Sequence, residues 1–293
     1  MVDVTPILTP PEDDAVARGY GTAGELAQDR RIGDDDLTHW PTRFGAALAA
    51  SACWLAEKLG PYAALLISLA VGLAIAFGLS VVAVEVYDAV TDEDGVAGLD
   101  RPLLDLSLQF RNPTTDAVIT AITDAAGTIG MPIIAISAML ILGIRRRSWT
   151  PVILITVAAA GSLLMTVAGK ELIGRERPPL VDAVPPYEYS PSFPSGHTLN
   201  AVVVVGIIVY LILLRQHSRR TRVLTITGGV VFAVVVGLSR VYLGHHWFTD
   251  VLAGWLLGAA WLAIVITAHR IYLTARAHRP AGPASSDQLS ALG

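Results

Sequence analysis

Residues 223–238 (VLTITGGVVFAVVVGL) and 251–271 (VLAGWLLGAAWLAIVITAHRI) enclose residues 239–250 (SRVYLGHHWFTD). The outer runs are close to the roughly 20 apolar residues that cross a bilayer core of about 30 Å. The enclosed stretch carries an arginine, two histidines and an aspartate. In a bilayer such residues are costly unless they face one another or water. Two membrane helices joined by a polar connection are therefore expected. If a helix starts near His246, Asp250 lies at i+4 on the same face and can hold one ring nitrogen while the other stays free. Arg240, across the Gly244 turn, brings a planar charged fork suited to phosphate oxygens. The same residues would also serve as an interfacial ion pair capping two helices.

The same pattern recurs through the chain, which is 53% hydrophobic and 16% charged with a mean hydropathy of +0.55. Those values exclude an ordinary soluble domain and indicate an all-α integral membrane protein. Six spans are expected: about Pro61 to Val86, within Ala117 to Ile144, Val152 to Gly169, Leu199 to Leu214, Val223 to Leu238, and Val251 to Ile271. Arginine clusters follow the second, fourth and sixth spans, at 145–147, 215–222 and 270–279. The positive-inside rule makes those ends cytoplasmic, with both termini. The connections 87–116, 170–198 and 239–250 then share the extracytoplasmic side.

The flanking segments differ in character. Residues 1–38, rich in Asp, Pro and Gly, read as a disordered cytoplasmic tail. Residues 39–60 form a short interfacial helix, 61–275 the six-helix membrane domain, and 276–293 a second disordered tail. Leu99 to Phe110 alternates apolar and charged residues, as an amphipathic surface helix does. Cys53 is the only cysteine, which excludes an intramolecular disulfide and a cysteine metal cage. No cleavable signal peptide is expected, so the first span acts as the insertion signal.

Two outer connections hold chemistry-bearing residues. Lys170, Arg175 and Arg177 end the third span. Alone they suit the negative end of a helix dipole, but cations on the outer face are less expected and favour anion binding. Pro194, Ser195, Gly196 and His197 open the fourth span. With Ser195 as N-cap, the first N–H groups of that helix face outwards as a phosphate cradle, Gly196 lets an anion approach, and His197 can exchange a proton near neutral pH. A capped helix with an interfacial histidine would look the same in isolation. Asp124 and His245 are given no role.

Together these segments resemble the three signature motifs of the type 2 phosphatidic acid phosphatase family. Lys170 to Pro178 matches K-x6-RP, Pro194 to His197 matches PSGH, and Ser239 to Asp250 matches SR-x5-H-x3-D. The six-span layout from about Pro61 to Ile271 is similar to the membrane-bound branch. The resemblance implies a metal-independent phosphatase without cofactors. His246 would attack phosphorus, Asp250 orient the imidazole, and His197 protonate the leaving group and then activate water. Lys170, Arg177, Ser195, Gly196 and Arg240 would bind the phosphoryl oxygens.

The expected activity is hydrolysis of a lipid phosphomonoester or diphosphate on the outer leaflet of the cell membrane, expected to be a bacterial inner membrane. Phosphatidic acid, phosphatidylglycerol phosphate and polyprenyl diphosphates all fit, and the partners are membrane lipids rather than nucleic acid. The rival readings are a phosphotransferase, a lipid transporter, and the related vanadate-dependent haloperoxidase chemistry. Clustering of the charges at one membrane face argues against the transporter. The six spans argue against the haloperoxidases, which are soluble.

Overall fold

The computed structural model of the protein describes residues 26, 28–60, 63, 65, 67–72, 78 and 96–277. The first expected span and the tail residues 1–25 and 278–293 lie wholly or largely outside the described residues. Four helices among those described are long and apolar enough to cross a bilayer: α5 (Thr150–Ile173), α6 (Gly196–Leu213), α7 (Arg219–Tyr242) and α8 (Phe248–Ala277). At 1.5 Å per residue, even the shortest approaches the hydrocarbon thickness. α6 contains a π-helical stretch at Ala201–Val205.

Among the described residues, the preceding helices with both ends described are shorter. They are α1 (Arg43–Leu59), α2 (Asp100–Gln109), α3 (Pro113–Asp124) and α4 (Gly130–Arg146). The expected single second span is therefore broken at 125–129. A Cβ on Gly130 would lie 2.4 Å from the Asp124 carbonyl oxygen. Only a glycine lets the chain fold back so tightly, so the polar turn interrupts a run that hydropathy reads as continuous.

The outward faces are apolar. Val230, Val231, Val234 and Val235 on α7, Ile133, Ile136, Leu140 and Ile144 on α4, and Leu163, Leu164 and Val167 on α5 are all exposed. Such a belt is far larger than a soluble monomer tolerates. In hydrocarbon it needs no further partner.

Inside, small residues set the spacing. Trp261 is fully buried, its indole N–H donates to the Ala158 carbonyl at 3.1 Å, and its ring lies over Gly161. Gly254 and Gly258 of α8 pack against the start of α6: a Cβ on Gly254 would stand 3.1 Å from the Ser195 carbonyl oxygen. Small residues four apart are the usual means of close helix approach in membranes. Here they hold the start of α6 against the start of α8.

The two ends of the bundle are chemically distinct. At one, Asp29 pairs with Arg146 (3.0 Å) and Arg215 (2.8 Å), and the Arg270 guanidinium donates to the Leu37 and His39 carbonyls. Residues 28–38, expected to be disordered, are thus held there, with a two-residue antiparallel pair β1 (Arg31–Ile32) and β2 (Asp35–Asp36). A buried aspartate shared by two arginines supplies the anchoring that composition alone does not reveal. At the other end the connections before α3, between α5 and α6, and between α7 and α8 meet. Arg111 donates to the Tyr242 and Asp182 carbonyls there, and Val184 N–H to the Leu243 carbonyl.

Gly161→Ala should lower the thermal midpoint of the detergent-solubilised protein, because a Cβ at Gly161 would be 2.4 Å from the Trp261 ring. An overpacking cost of roughly 1–3 kcal/mol is expected. Gly228→Ala, which meets nothing within 4 Å, should leave the midpoint unchanged. Equal melting of the two variants would contradict this packing.

Candidate active site

A cavity of about 920 Å³ opens at the end where the three connections meet. Lys170, Gly196, His197, Arg240 and His246 line it, together with the 123–130 turn and residues of the 186–190 connection. The cavity thus brings together residues from all three sequence segments. Each is placed by local structure. α5 ends one turn after Lys170, where Gly174 adopts φ 60° and its N–H closes on the Lys170 carbonyl. Lys170 therefore points from the last turn while Arg175 and Arg177 leave on an extended chain. Gly244, at φ 69°, turns the chain between α7 and α8. A Cβ there would be 2.1 Å from the Asp182 carbonyl oxygen.

His246 lies in that turn, before α8 begins at Phe248, so it does not share a helical face with Asp250 as the spacing predicted. The two still approach: Nδ1 is 3.5 Å from Asp250 Oδ2. Ser192 stands beside both, its hydroxyl donating to Asp250 Oδ2 at 2.5 Å and lying 3.4 Å from Nδ1. On the opposite side of the ring, Nε2 is 3.3 Å from Arg177 Nη1, which can only donate. This fits a neutral imidazole with its proton on Nδ1, towards the carboxylate. Burial holds the His246 pKa down, to about 4, despite the opposing pull of Asp250.

Ser195 departs from its expected place. It has the N-cap position of α6, but its hydroxyl accepts from Thr198 at 2.9 Å rather than from a backbone N–H, and it is fully buried. Its own N–H donates to the Asp250 carbonyl at 3.1 Å. The first N–H groups of α6 thus receive no side-chain cap. Gly196 also serves packing, since a Cβ would stand 2.9 Å from the Thr166 methyl. Arg240 is buried, and its Nε has no hydrogen-bond partner among the described residues.

The cations converge on a carboxylate that the sequence reading did not single out. Glu188 bridges Arg177, at 2.8 Å, and Arg240. Burial alone would raise its pKa, but Arg240 and Arg177 prevail and bring it to about 2. Lys170 binds the same connection through Ser190 Oγ (2.9 Å) and the Pro191 carbonyl. His245 fastens it from the other side, with Nε2 2.7 Å from the Val184 carbonyl oxygen. Among the described residues no three His, Cys, Asp or Glu side chains form a metal-ligand set.

The chain has known relatives. The model of the PAP2 superfamily matches residues 150–272. Phosphatidylglycerophosphatase B of Bacillus subtilis (strain 168) is 36% identical over 173 residues, covering 58% of this chain and 83% of that protein. The chain belongs to the PAP2 superfamily.

An undecaprenyl-diphosphatase of Sulfolobus acidocaldarius is 40% identical over 80 residues, 27% of this chain and 33% of that protein. The crystal structure of a transmembrane PAP2 type phosphatidylglycerolphosphate phosphatase from Bacillus subtilis superposes with a TM-score of 0.56 at 28% identity. It covers 67% of this chain and 92% of the other. The protein is accordingly a membrane phosphatase of the PAP2 family.

Within this candidate site, sequence reasoning missed Glu188, Ser192 and the lining residue Thr123, and gave no role to Asp124, which also lines the cavity. Glu188 had one available signal, as the acid within the Pro- and Tyr-rich stretch 185–191 that follows the Lys170 to Pro178 motif. Ser192 had none, because the partners of its hydroxyl lie more than fifty residues away.

Glu188 occupies two arginines with the kind of oxygen pair a phosphoryl group would offer. Glu188→Gln should therefore tighten binding of inorganic phosphate, measured calorimetrically on the solubilised protein. An increase of roughly tenfold corresponds to relief from one charge-assisted competitor. Unchanged or weaker phosphate affinity would argue that the two anions do not compete.

Proposed function

We propose that this PAP2 protein hydrolyses a lipid phosphate through a phosphohistidine on His246. The observation that carries the reading is the two-sided setting of that imidazole. Nδ1 faces Asp250, and Nε2 faces the cation-lined cavity beside Arg177. Attack by the Nε2 lone pair forms an N–P bond as the bond from phosphorus to the leaving oxygen breaks. His197 gives that oxygen a proton. Water then attacks phosphorus, His197 takes its proton, the N–P bond breaks, and inorganic phosphate leaves. A Cβ built on Gly127 would be 3.4 Å from His197 Nε2, so the leaving group has the 125–130 turn beside it.

Arg177, Arg240 and Lys170 stabilise charge on the non-bridging oxygens, with the uncapped first turn of α6 adding N–H donors at Gly196 and His197. Ser195 contributes through the position of that turn. No step requires a metal ion or cofactor. Ala126, Ile129 and Leu163 line one flank of the cavity, and Ile129 and Leu163 are exposed on the outer surface of the bundle. This supports an amphiphile whose chain stays in the membrane.

The names and coverage of the relatives favour phosphatidylglycerol phosphate, with undecaprenyl diphosphate and phosphatidic acid as the other candidates. The six-span reading adds α4 and the expected span at 61–86, which lies largely outside the described residues, to the four long helices. The cavity then faces the extracytoplasmic side, opposite the Arg146 and Arg215 end.

The decisive test is phosphate release from the three lipids by purified protein with excess chelator, beside His246→Ala. Release that survives the chelator and vanishes in the variant is expected; activity retained by His246→Ala would exclude the phosphohistidine. Phosphate transfer to an added alcohol in place of release would make the protein a phosphotransferase.

The pH dependence has a definite sign. His246 should remain neutral down to about pH 4, so the acid limb of kcat/KM should lie well below the ordinary histidine value of about 6.5. Protonation favours the unfolded chain, so His246 should cost stability as pH falls from 6.5 towards 4. His246→Asn should flatten that loss. For topology, in protein with Cys53 replaced, single cysteines at Asp94 and Pro186 should react with an impermeant thiol reagent added outside intact cells. One at His217 should not, and the reverse pattern would invert the orientation.

A further inference from the structure

We propose that Arg175, clamped by Asp100 from the preceding amphipathic helix, is the positioning residue that fixes the Asp250 carboxylate against His246. The inference rests on the phosphohistidine reading and assigns a part to Asp100, outside the three motifs, and to Arg175, at an unspecified position within the first. Arg175 Nη1 donates to Asp250 Oδ1 at 2.6 Å and to Thr249 Oγ1 at 2.7 Å, while Nη2 donates to Asp100 Oδ2 at 2.7 Å. Asp100 in turn accepts the Thr249 N–H at 2.8 Å and the Thr249 hydroxyl at 2.7 Å. One guanidinium thus spans two carboxylates, and the second carboxylate binds the first turn of α8.

The clamp holds one oxygen of the Asp250 carboxylate, and other groups hold the second. Oδ1 is held by Arg175, and Oδ2 by Ser192 and the Trp247 N–H, at 2.5 and 3.0 Å. The remaining approach is to His246 Nδ1. Asp250 cannot rotate without breaking one of those three bonds. Trp247 is tied in as well: its indole N–H donates to the Glu176 carbonyl at 2.9 Å, and the Arg175 guanidinium carbon lies over its ring, 5.8 Å from the centroid. An arginine suits this place because its fork reaches two acceptors in fixed directions, whereas a lysine offers one point charge.

Charge balance gives the clamp a chemical consequence. Asp100 and Arg175 neutralise each other, leaving the charge of Asp250 for the imidazole, which becomes cationic when Nε2 bonds to phosphorus. Without Arg175, Asp100 and Asp250 are two buried carboxylates without their shared cation. Lys170 and Arg177 cannot replace it, because both are engaged with the 188–191 connection. Asp100 therefore makes α2, a surface helix on hydropathy alone, part of the support of the nucleophile.

The test uses full-length protein in micelles, with kcat and KM measured on whichever of the three lipid phosphates the wild type turns over fastest and thermal midpoints recorded in parallel. Arg175→Gln should lower kcat by roughly 100-fold, as misplacement of a reacting group by about an ångström does, with KM changed less than about threefold. Arg175→Lys should recover part of kcat. Arg175→Gln combined with Asp100→Asn should exceed Arg175→Gln alone several-fold, because the uncompensated carboxylate is gone. Wild-type kcat in Arg175→Gln, a change confined to KM, or a double variant no better than the single one would overturn the proposal. If Arg175→Gln does not fold, Arg175→Lys decides: reduced kcat at unchanged KM supports the clamp, and wild-type kcat refutes it. A His246→Ala control keeps the two ideas apart. Activity without His246 removes the phosphohistidine itself, whereas an inactive control beside a fully active Arg175→Gln removes only the clamp.

Discussion

A carboxylate with no solvent exposure, Asp250, sits in the first turn of the last helix, and much of the polar end of the bundle is arranged around it. A buried charge is costly unless it is paired and fully hydrogen-bonded. Asp250 meets that condition with partners from two connections: Arg175 and Ser192 from the chain between α5 and α6, and the Trp247 N–H from the turn before α8. Its carbonyl oxygen receives the Ser195 N–H, so the start of α6 is fixed by the same residue. Closing these bonds brings His246, His197 and the cations to one cavity. Positioning the site and satisfying a buried charge are therefore the same event.

Around that anchor the cation cluster needs an internal counter-charge. Arg177 and Arg240 lie near one another, with Lys170 close by, in a region that is largely withdrawn from water. Glu188 offsets the two arginines and so holds the 186–190 connection over the cavity. An exposed pair would contribute little. Here Arg240 is buried, so the carboxylate and any phosphoryl group draw on the same donors. The apolar flank at Ala126, Ile129 and Leu163 adds an opening towards the lipid-facing surface. The cavity is thus charged on one side and apolar on the other, as a phosphorylated lipid is.

The membrane architecture was largely legible in the sequence. Runs such as 152–169 and 251–271 have the length and polarity that a bilayer demands, and they lie within helices Thr150–Ile173 and Phe248–Ala277. The second expected span was misread because hydropathy averages over a window. A turn at 125–129 between two apolar helices leaves that average high, while Gly127, Gly130 and Asp124 break the helix locally. The expected tail at 28–38 was misread for a related reason. Acidic composition signals disorder, but a buried aspartate paired with Arg146 and Arg215, together with the Arg270 bonds to the Leu37 and His39 carbonyls, holds the segment. At the site, spacing placed His246 and Asp250 in reach of each other but on the wrong scaffold: a tight turn at Gly244 brings them together, not a shared helical face.

By itself, the sequence determined the helical membrane architecture, the polar connections that carry the chemistry and the residue types within the motifs. Those properties follow from local periodicity, hydropathy and short spacings, which are written along the chain. Only the tertiary structure decided that Ser195 is buried away from the cavity, that Glu188 spans two arginines, that Ser192 stands between His246 and Asp250, and that Asp100 and Arg175 brace the carboxylate. Each of those facts is a meeting of groups far apart in sequence. Such meetings are set by the helix crossings that Gly161, Gly254 and Gly258 permit and by the pairing that buried charges require, and no local pattern encodes which distant partner will complete the pair.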